Sequence, residues 1–185
     1  VILVILLVLY IVHENYRRDQ ELMKYAQTDA LTGLYNKETT KLRTNEILST
    51  DKDMIHAFLI LDMDCFKQIN DGYGHAVGDI VLQKFGQLLR DIFREDDIVG
   101  RIGGDEFVVV MKNIKMKEMA IAKAEELLTK TQQYEIKELN GSAISISIGI
   151  AMAPEDGDCY MDLYKRADQA LYQAKRSGKA RVCGY

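Results

Sequence analysis

The chain has 185 residues, which is the size of one domain with a terminal extension. Hydrophobic residues make up 48% of it and charged residues 28%, a balance that is too apolar for an intrinsically disordered chain. With 24 basic and 28 acidic residues the net charge is −4, so electrostatic binding to nucleic acid is not expected. The cysteines form no CxxC pair and the histidines no HxxxH pair, which argues against zinc fingers, thioredoxin-type redox motifs and disulfide scaffolds.

The N-terminal region differs in character from the rest of the chain. Residues 1–12 are apolar and uncharged, but a helix needs about 20 such residues to span a bilayer. We interpret them as the end of a transmembrane helix, with an apolar helix packed on the domain as the alternative. Arg17 and Arg18 follow, so the positive-inside bias predicts that the downstream part is cytoplasmic. Residues 13–28 are predicted to form a helical stalk, and residues 29–185 a single domain.

Periodicity predicts the elements of this domain in chain order. The first are a turn at 29–34 in which Asp29 or Thr32 caps the next helix, a helix at 37–48, a buried strand at 58–61, a helical turn at 66–69 and a glycine-rich loop at 70–75. The next are an amphipathic helix at 76–93, strands at 97–102 and 106–111 in a hairpin, a helix at 116–132, a half-buried strand at 144–151 and an amphipathic helix at 160–176. A hairpin beside helix-connected strands predicts an α+β sandwich with a mixed or antiparallel sheet.

Acidic residues stand at the ends of two predicted strands. Asp62 and Asp64 follow the apolar run 58–61, and Asp105 and Glu106 lie at the turn of the hairpin. If the hairpin pairs beside the first strand, these carboxylates converge at one edge of the sheet, where a divalent cation removes their mutual repulsion. Ligands that are all oxygen favour Mg²⁺ or Mn²⁺ over zinc, and two such ions are the usual device for in-line displacement at phosphorus.

The glycines at 72, 74 and 78 do not form a dinucleotide-binding fingerprint, because position 77 is valine and the loop follows a helical turn instead of a strand. The sequence also lacks the GxxxxGK[ST] motif of a P-loop. Asp79 can accept paired hydrogen bonds from N1–H and the 2-amino group of guanine, a donor pair that adenine lacks. Asn70 is a candidate for the remaining contacts with a guanine base, although Asn and Asp are also common in loops and first helical turns that bind no ligand.

Four blocks of the chain together resemble the GGDEF family of diguanylate cyclases. They lie at 29–37 (DALTGLYNK), 62–79 (DMDCFKQINDGYGHAVGD), 103–107 (GGDEF) and 167–179 (ADQALYQAKRSGK). The resemblance extends from Asp29 to Val182, with Lys37 where the family more often has arginine and with an unusual Cys65. It implies an α+β fold around a central five-stranded mixed or antiparallel sheet flanked by helices, similar to nucleotidyl cyclase and polymerase palm domains.

The resemblance also implies the site residues. Two Mg²⁺ (or Mn²⁺) ions per active site would be held by Asp62, the backbone carbonyl of Met63, Asp105 and Glu106, with Glu106 on the second metal or acting as base. The catalytic group would consist of Asp105, Glu106 and Lys67. The guanine base would contact Asn70, Asp79 and His75. The triphosphate would contact Lys67, Lys175, Lys179 and the N–H groups around Cys65 and Phe66. The nucleotide would also contact Gly103 and Gly104 in the hairpin.

The implied activity is that of a nucleotidyltransferase that joins two GTP into cyclic di-GMP, releasing two pyrophosphates, across a homodimer. Arg94 and Asp97 form an RxxD motif just before the hairpin, where the product would bind as a feedback inhibitor. The implied location is the bacterial inner membrane, reached through the N-terminal helix, with the catalytic domain in the cytoplasm and no nucleic-acid partner. One alternative is a catalytically silent GGDEF domain that binds GTP or cyclic di-GMP and signals by contact. A polymerase-like or adenylyl cyclase enzyme is another, against which Asn70 and Asp79 argue.

Overall fold

The structure is a computed structural model that describes residues 9–14, 17, 26–139 and 143–185. Its helices include α1 (Lys37–Thr50), α2 (Phe66–Tyr73), α3 (His75–Ile92), α4 (Lys117–Gln133) and α5 (Tyr160–Arg176), with a 3-10 turn at Lys137–Leu139. Its strands are β1 (Ile55–Met63), β2 (Ile98–Gly103), β3 (Glu106–Ile114), β4 (Ile146–Ala153) and β5 (Val182–Gly184). Residues 9–14 are helical as well.

The strands form one five-stranded sheet in the order β2-β3-β1-β4-β5. The pairs β2–β3, β3–β1 and β1–β4 are antiparallel, and β4–β5 is parallel. This mixed sheet, flanked by helices, confirms the expected fold class. The central position of β1 places its C-terminal end between the hairpin on one side and β4 on the other.

Both faces of the sheet are covered by helices, which gives the domain two hydrophobic clusters. On one face α3 and α4 pack on the sheet, with Phe85 edge-on to Phe107 at a centroid distance of 4.9 Å. On the other face α1 and α5 pack on alternate residues of the same strands, with Phe58 edge-on to Tyr160 at 5.4 Å. Burial from both sides explains why β1 is apolar from Ala57 to Leu61, directly before the acidic residue Asp62.

The prediction that β4 is a half-buried strand was wrong, because all of its residues are buried. Isoleucine alternates with small residues because the two faces of β4 lie toward different helix layers, that of α3 and α4 on one face and that of α1 and α5 on the other, and neither face is exposed to solvent. At Gly149 the backbone of α5 comes so close that an added Cβ would collide with Ala167 and Leu171. Small residues on this face of β4 therefore allow the helix to approach the sheet directly.

The capping of α1 also differs from the expectation. Asn36 is the N-cap, and its side-chain oxygen accepts a hydrogen bond from the N–H of Thr39 at 3.0 Å. Asp29 instead closes its own turn, accepting bonds from the backbone N–H and the hydroxyl of Thr32 at 2.9 and 2.7 Å. The prediction of Asp29 or Thr32 as the helix cap was wrong because the chain makes a full turn before the helix begins.

The prediction of a bacterial inner-membrane location is corrected by the structure. Within the described ranges, no helix has both the length and the apolar character that crossing a bilayer requires. Residues 1–8 of the predicted transmembrane segment, and residues 15–16 and 18–25 of the predicted stalk, lie outside the described residues.

Candidate active site

The hairpin pairs with β1, which is the condition under which the acidic residues at the strand ends were expected to converge. Asp62 near the end of β1 is the direct cross-strand partner of Glu106, the first residue of β3. Asp105 precedes Glu106 in the turn, and its carbonyl accepts a hydrogen bond from the N–H of Met63 at 3.3 Å. The antiparallel register thus fixes Asp62, Asp105 and Glu106 at one edge of the sheet.

The electrostatics of this edge favour a bound cation. Burial raises the pKa of Asp62, and the charges of Asp105 and Asp64 act in the same direction, against the lowering effect of Lys175. Burial and the charge of Asp62 likewise raise the pKa of Glu106. The ammonium of Lys175 lies 2.8 Å from Oδ2 of Asp62, so a positive charge is already attracted to the cluster. Carboxylate oxygens with excess negative charge are a donor set that fits Mg²⁺ or Mn²⁺.

The segment after β1 leads within three residues into the N-terminal end of α2. Cys65 adopts a left-handed conformation with φ of +59°, and among the described residues no side chain caps α2 at this point. The first N–H groups of α2, around Phe66, are thereby left for another acceptor. Lys67 is exposed in the first turn of the same helix.

Residues predicted as a glycine-rich loop are largely helical, and that prediction was wrong. Helix α2 continues through Asn70 to Tyr73, and the break is confined to Gly74 at φ of +86°. The N–H of Gly74 donates to the carbonyl of Asn70 at 2.9 Å and closes the last turn. Only this one residue needs a conformation outside the helix, because glycine adopts positive φ without strain.

The residues expected to read guanine come from both sides of this break. Asn70 is half-buried in α2, and its side-chain oxygen lies where a Cβ on Gly78 would collide with it. His75 and Asp79 are exposed one turn apart on α3, so they lie on the same side of that helix. The structure therefore brings Asn70, His75 and Asp79 to the junction of α2 and α3.

Lys175 and Lys179, both in the block at 167–179, reach the site from α5 and from the segment that follows it. Lys175 projects from α5 to Asp62. Lys179 follows the helix in a left-handed conformation at φ of +61°, with its ammonium 3.2 Å from Sγ of Cys65. That contact, together with the nearby charges of Asp64 and Asp62, raises the pKa of Lys179. Lys175 and Lys179 thus reach the acidic edge and the start of α2, respectively.

Sequence reasoning missed a cleft that continues the acidic edge along α5. A cleft of about 610 Å³ is lined by Glu106, Asp168, Tyr172 and Lys175, among others. The charge of Asp168 contributes to the raised pKa of Glu106, after burial and the effect of Asp62. The spacing of 168, 172 and 175 on one helix face was the available signal, since residues three and four apart are neighbours.

The role of Arg101 was also missed. Its Nε and Nη2 donate to the carbonyl of Gly104 at 3.0 and 2.7 Å, and its Nη1 lies 3.1 Å from Oδ1 of Asp29. The guanidinium therefore joins the turn at the start of the domain to the turn of the hairpin. Tyr35 strengthens the connection, since its carbonyl accepts from the N–H of Arg101 at 2.8 Å.

The RxxD motif lies at a separate cleft of about 590 Å³, whose lining includes Tyr35, Arg90, Arg94 and Asp97. Asp97 is buried, and its carboxylate accepts bonds from the backbone N–H groups of Arg94 and Lys112, each at 3.0 Å. It thereby fixes the turn between α3 and β2. Arg90, one turn before Arg94, was not assigned from the sequence.

Comparisons with known proteins agree on one family. The family described as "Diguanylate cyclase, GGDEF domain" matches residues 26–181. Diguanylate cyclase DgcS of Shewanella oneidensis is 36% identical over 168 residues, which cover 89% of this chain and 55% of that protein. The chain thus spans little more than half the length of this curated relative.

Two solved structures are similar to this fold. The GGDEF domain of TpbB (YfiN) from Pseudomonas aeruginosa has a TM-score of 0.79 at 35% identity, covering 85% of this chain and 93% of that one. The GGDEF domain of DgcB from Caulobacter crescentus, solved in complex with c-di-GMP, has a TM-score of 0.78 at 26% identity, covering 86% and 95%.

Proposed function

This chain belongs to the GGDEF diguanylate cyclase family, and we propose that it joins two GTP molecules into cyclic di-GMP. The 3′-hydroxyl of each GTP attacks the α-phosphate of the other, so two P–O bonds form, two break, and two pyrophosphates leave. The observation that carries the proposal is the register of β1 and β3, which sets Asp62 opposite Glu106 and beside Asp105. Such a carboxylate cluster is what two-metal phosphoryl transfer needs.

The proposed metal ligands are Asp62, the carbonyl of Met63, Asp105 and Glu106. When bound, Mg²⁺ or Mn²⁺ would lower the pKa of the attacking hydroxyl and neutralise charge on the phosphoryl oxygens. Glu106 either takes part in holding the second ion or accepts the proton of the 3′-hydroxyl. Burial and the charge of Asp62 raise the pKa of Glu106, so its carboxylate benefits from a compensating cation.

The rest of the site orients GTP. Asn70 and Asp79, with His75 nearby, would hydrogen-bond guanine from the α2–α3 junction. The triphosphate would lie along the start of α2, where no side chain caps the N–H groups around Cys65 and Phe66. Lys67, Lys175 and Lys179 would neutralise its charge, with Gly103 and Gly104 leaving room at the hairpin turn.

Each domain would hold one GTP, so the proposed reaction needs a homodimer with two sites facing each other. The product would also bind as an inhibitor at the second cleft, through the guanidinium of Arg94 and with Arg90 beside it. Since the carboxylate of Asp97 is engaged by backbone N–H groups, it would act there by holding the turn that presents Arg94.

The competing function is a silent domain that binds GTP or cyclic di-GMP without turnover. The intact acidic cluster favours the enzyme, because buried like charges destabilise the fold unless a bound cation compensates their repulsion. The test is to incubate the protein with GTP or ATP and Mg²⁺ and to identify the products by chromatography and mass spectrometry. We expect cyclic di-GMP and pyrophosphate to form from GTP and no product to form from ATP. Binding of GTP with no product would favour the silent domain, and products from ATP would contradict the guanine assignment.

A further inference from the structure

Asp64 stands in the acidic segment after β1, but its carboxylate is bonded away from the cross-strand pair of Asp62 and Glu106. Its Oδ1 accepts from the hydroxyl of Ser147 at 2.7 Å, and its Oδ2 accepts from the hydroxyl of Ser145 at 2.7 Å. Oδ2 also accepts from the backbone N–H of Ala180 at 3.1 Å. Asp64 therefore joins the end of β1 to the start of β4 and to the segment that follows α5.

The segment that Asp64 holds has a costly backbone conformation. Lys179 and Ala180 are both left-handed, at φ of +61° and +49°, directly after Gly178 at φ of +112°. Residues with a Cβ rarely adopt this left-handed backbone conformation, and they keep it only where surrounding contacts stabilise it. The bond from Ala180 to Asp64 is such a contact. The N–H of Lys179 provides another, donating to the carbonyl of Ala174 at 3.1 Å.

The consequence of this conformation is the position of one ammonium group. With the segment held in place, Nζ of Lys179 lies 3.2 Å from Sγ of Cys65, beside the uncapped start of α2. Both residues of this contact are exposed, so the packing of the core does not set it. A long side chain on an unrestrained segment would lose this position through conformational entropy.

We infer that Asp64 is a positioning residue that holds the Lys179–Ala180 segment so that Lys179 meets the phosphates of the nucleotide. The inference rests on the proposed function, since it takes GTP as the ligand. It assigns the acidic residues of this segment different roles. Asp62 belongs to the proposed metal-binding edge, whereas Asp64 acts on the lysine segment through the backbone N–H of Ala180. A hydrogen bond to a charged acceptor is among the stronger ones, so its loss should be measurable.

The test compares a triphosphate with a monophosphate. Binding of a GTP analogue with an α,β-methylene bridge and of GMP is measured by calorimetry with Mg²⁺, for the wild type, Asp64→Asn, Lys179→Ala and the double variant. We expect Asp64→Asn to weaken binding of the analogue about ten-fold, the scale of one hydrogen bond to a charged group. Binding of GMP should change less than about two-fold. In the Lys179→Ala background, Asp64→Asn should have little further effect on the analogue, because the two residues act in series.

Two further variants separate positioning from a structural role. Ser147→Ala removes the partner of Oδ1 within the sheet and leaves the bond to Ala180, so it should lower the melting temperature and leave analogue binding unchanged. Ala180→Pro removes the donor outside the sheet and, because proline cannot adopt the positive φ of this position, also displaces the Lys179–Ala180 segment. It should therefore reproduce the selective loss of the analogue even if Asp64→Asn does not fold.

The outcomes distinguish this inference from the proposed function. Equal losses for the analogue and GMP, additive effects with Lys179→Ala, or the same loss in Ser147→Ala would overturn the positioning role. If the wild type binds the analogue with the expected pattern but makes no cyclic di-GMP from GTP, only the proposed function fails. Absence of analogue binding by the wild type would overturn both.

Discussion

In our proposal, Asp62 and Asp105 are the residues at which charge matters most for turnover. We expect Asp62→Asn and Asp105→Asn each to lower the rate of cyclic di-GMP formation at least about 100-fold, since each removes a carboxylate that would stabilise the transition state through a metal. The measurement is the initial rate with saturating GTP and Mg²⁺, and circular dichroism reports whether the fold is retained. In EDTA, Asp105→Asn should melt at the same temperature as the wild type or higher, because repulsion with Asp62 and Glu106 is relieved.

The matched control is Asp91→Asn, which changes an exposed acid on α3 whose carboxylate pairs with Gln87 of the same helix. It should keep full activity. Appreciable turnover by either of the site variants would contradict their assignment as metal ligands.

Asp79 determines the choice of base in our proposal. Asp79→Ala should weaken GTP binding by about 1–3 kcal/mol, the scale of a lost hydrogen bond to a charged group. ATP, which lacks the matching donor pair, should bind as poorly as before. Titration calorimetry with both nucleotides measures the difference, and Asp71→Ala serves as a control at another exposed acid nearby. Equal losses for GTP and ATP would show that Asp79 supports the structure and not specificity.

At the scale of elements, the contact of Arg101 with Asp29 joins the first turn of the domain to the hairpin. Burial would raise the pKa of Asp29, but the hydrogen bonds from Thr32 and the interactions with Arg101 lower it below its ordinary value of 3.8. A lowered pKa stabilises the fold above the unfolded pKa, and this contribution disappears as the pH falls through the folded pKa.

We therefore expect Asp29→Asn to lower the free energy of unfolding at pH 7 by about 1 kcal/mol, because Asp29 is partly exposed and solvent screens the pair. The difference from the wild type should shrink as the pH falls below 3.8. Urea unfolding at several pH values measures both effects. A difference that is the same at every pH would mean that the charge of Asp29 is not its source.

The proposal that cyclic di-GMP binds in the cleft beside Arg94 is tested by inhibition kinetics. If cyclic di-GMP binds there, it should inhibit without competing with GTP, since this cleft and the acidic edge have different linings. Arg94→Ala should remove the inhibition and leave the rate without added product nearly unchanged. The measurement is a GTP titration at several product concentrations, with Lys84→Ala, which changes a half-buried basic residue elsewhere on α3, as control. Identical inhibition in the wild type and Arg94→Ala would reduce the RxxD motif to a structural turn.

At the scale of the whole molecule, the proposed reaction requires two domains. We expect the rate per protein molecule to rise with protein concentration where monomers predominate, and to level off where dimers form, by mass action. Activity measured over a dilution series, with sedimentation at the same concentrations, tests this expectation. A rate per molecule that stays constant while sedimentation shows only monomers would contradict the facing-site geometry.

Much of the architecture was predictable because its signals are local. The final helix was predicted at 160–176 and is found at Tyr160–Arg176, since an amphipathic period shows directly in the sequence. The pairing of the hairpin with β1 was only a condition at the level of sequence, because strand pairing joins segments that are distant along the chain, and the register of β1 with β3 fulfils it. The prediction of a glycine-rich loop at 70–75 was wrong because glycine content is an ambiguous local signal. Glycine marks where a chain is able to turn, and only Gly74 actually uses that freedom.

What the sequence alone determined is the set of chemical groups and the spacing of the blocks that carry them, because both are written in neighbouring residues. Tertiary structure decided which groups meet. It directed Asp64 to serines more than 80 positions away and to Ala180, turned Asp97 inward onto backbone N–H groups, and set Arg101 between two turns. It also buried both faces of β4. These contacts join residues that are distant along the chain, so they depend on how the helices pack on the sheet, which no local pattern specifies.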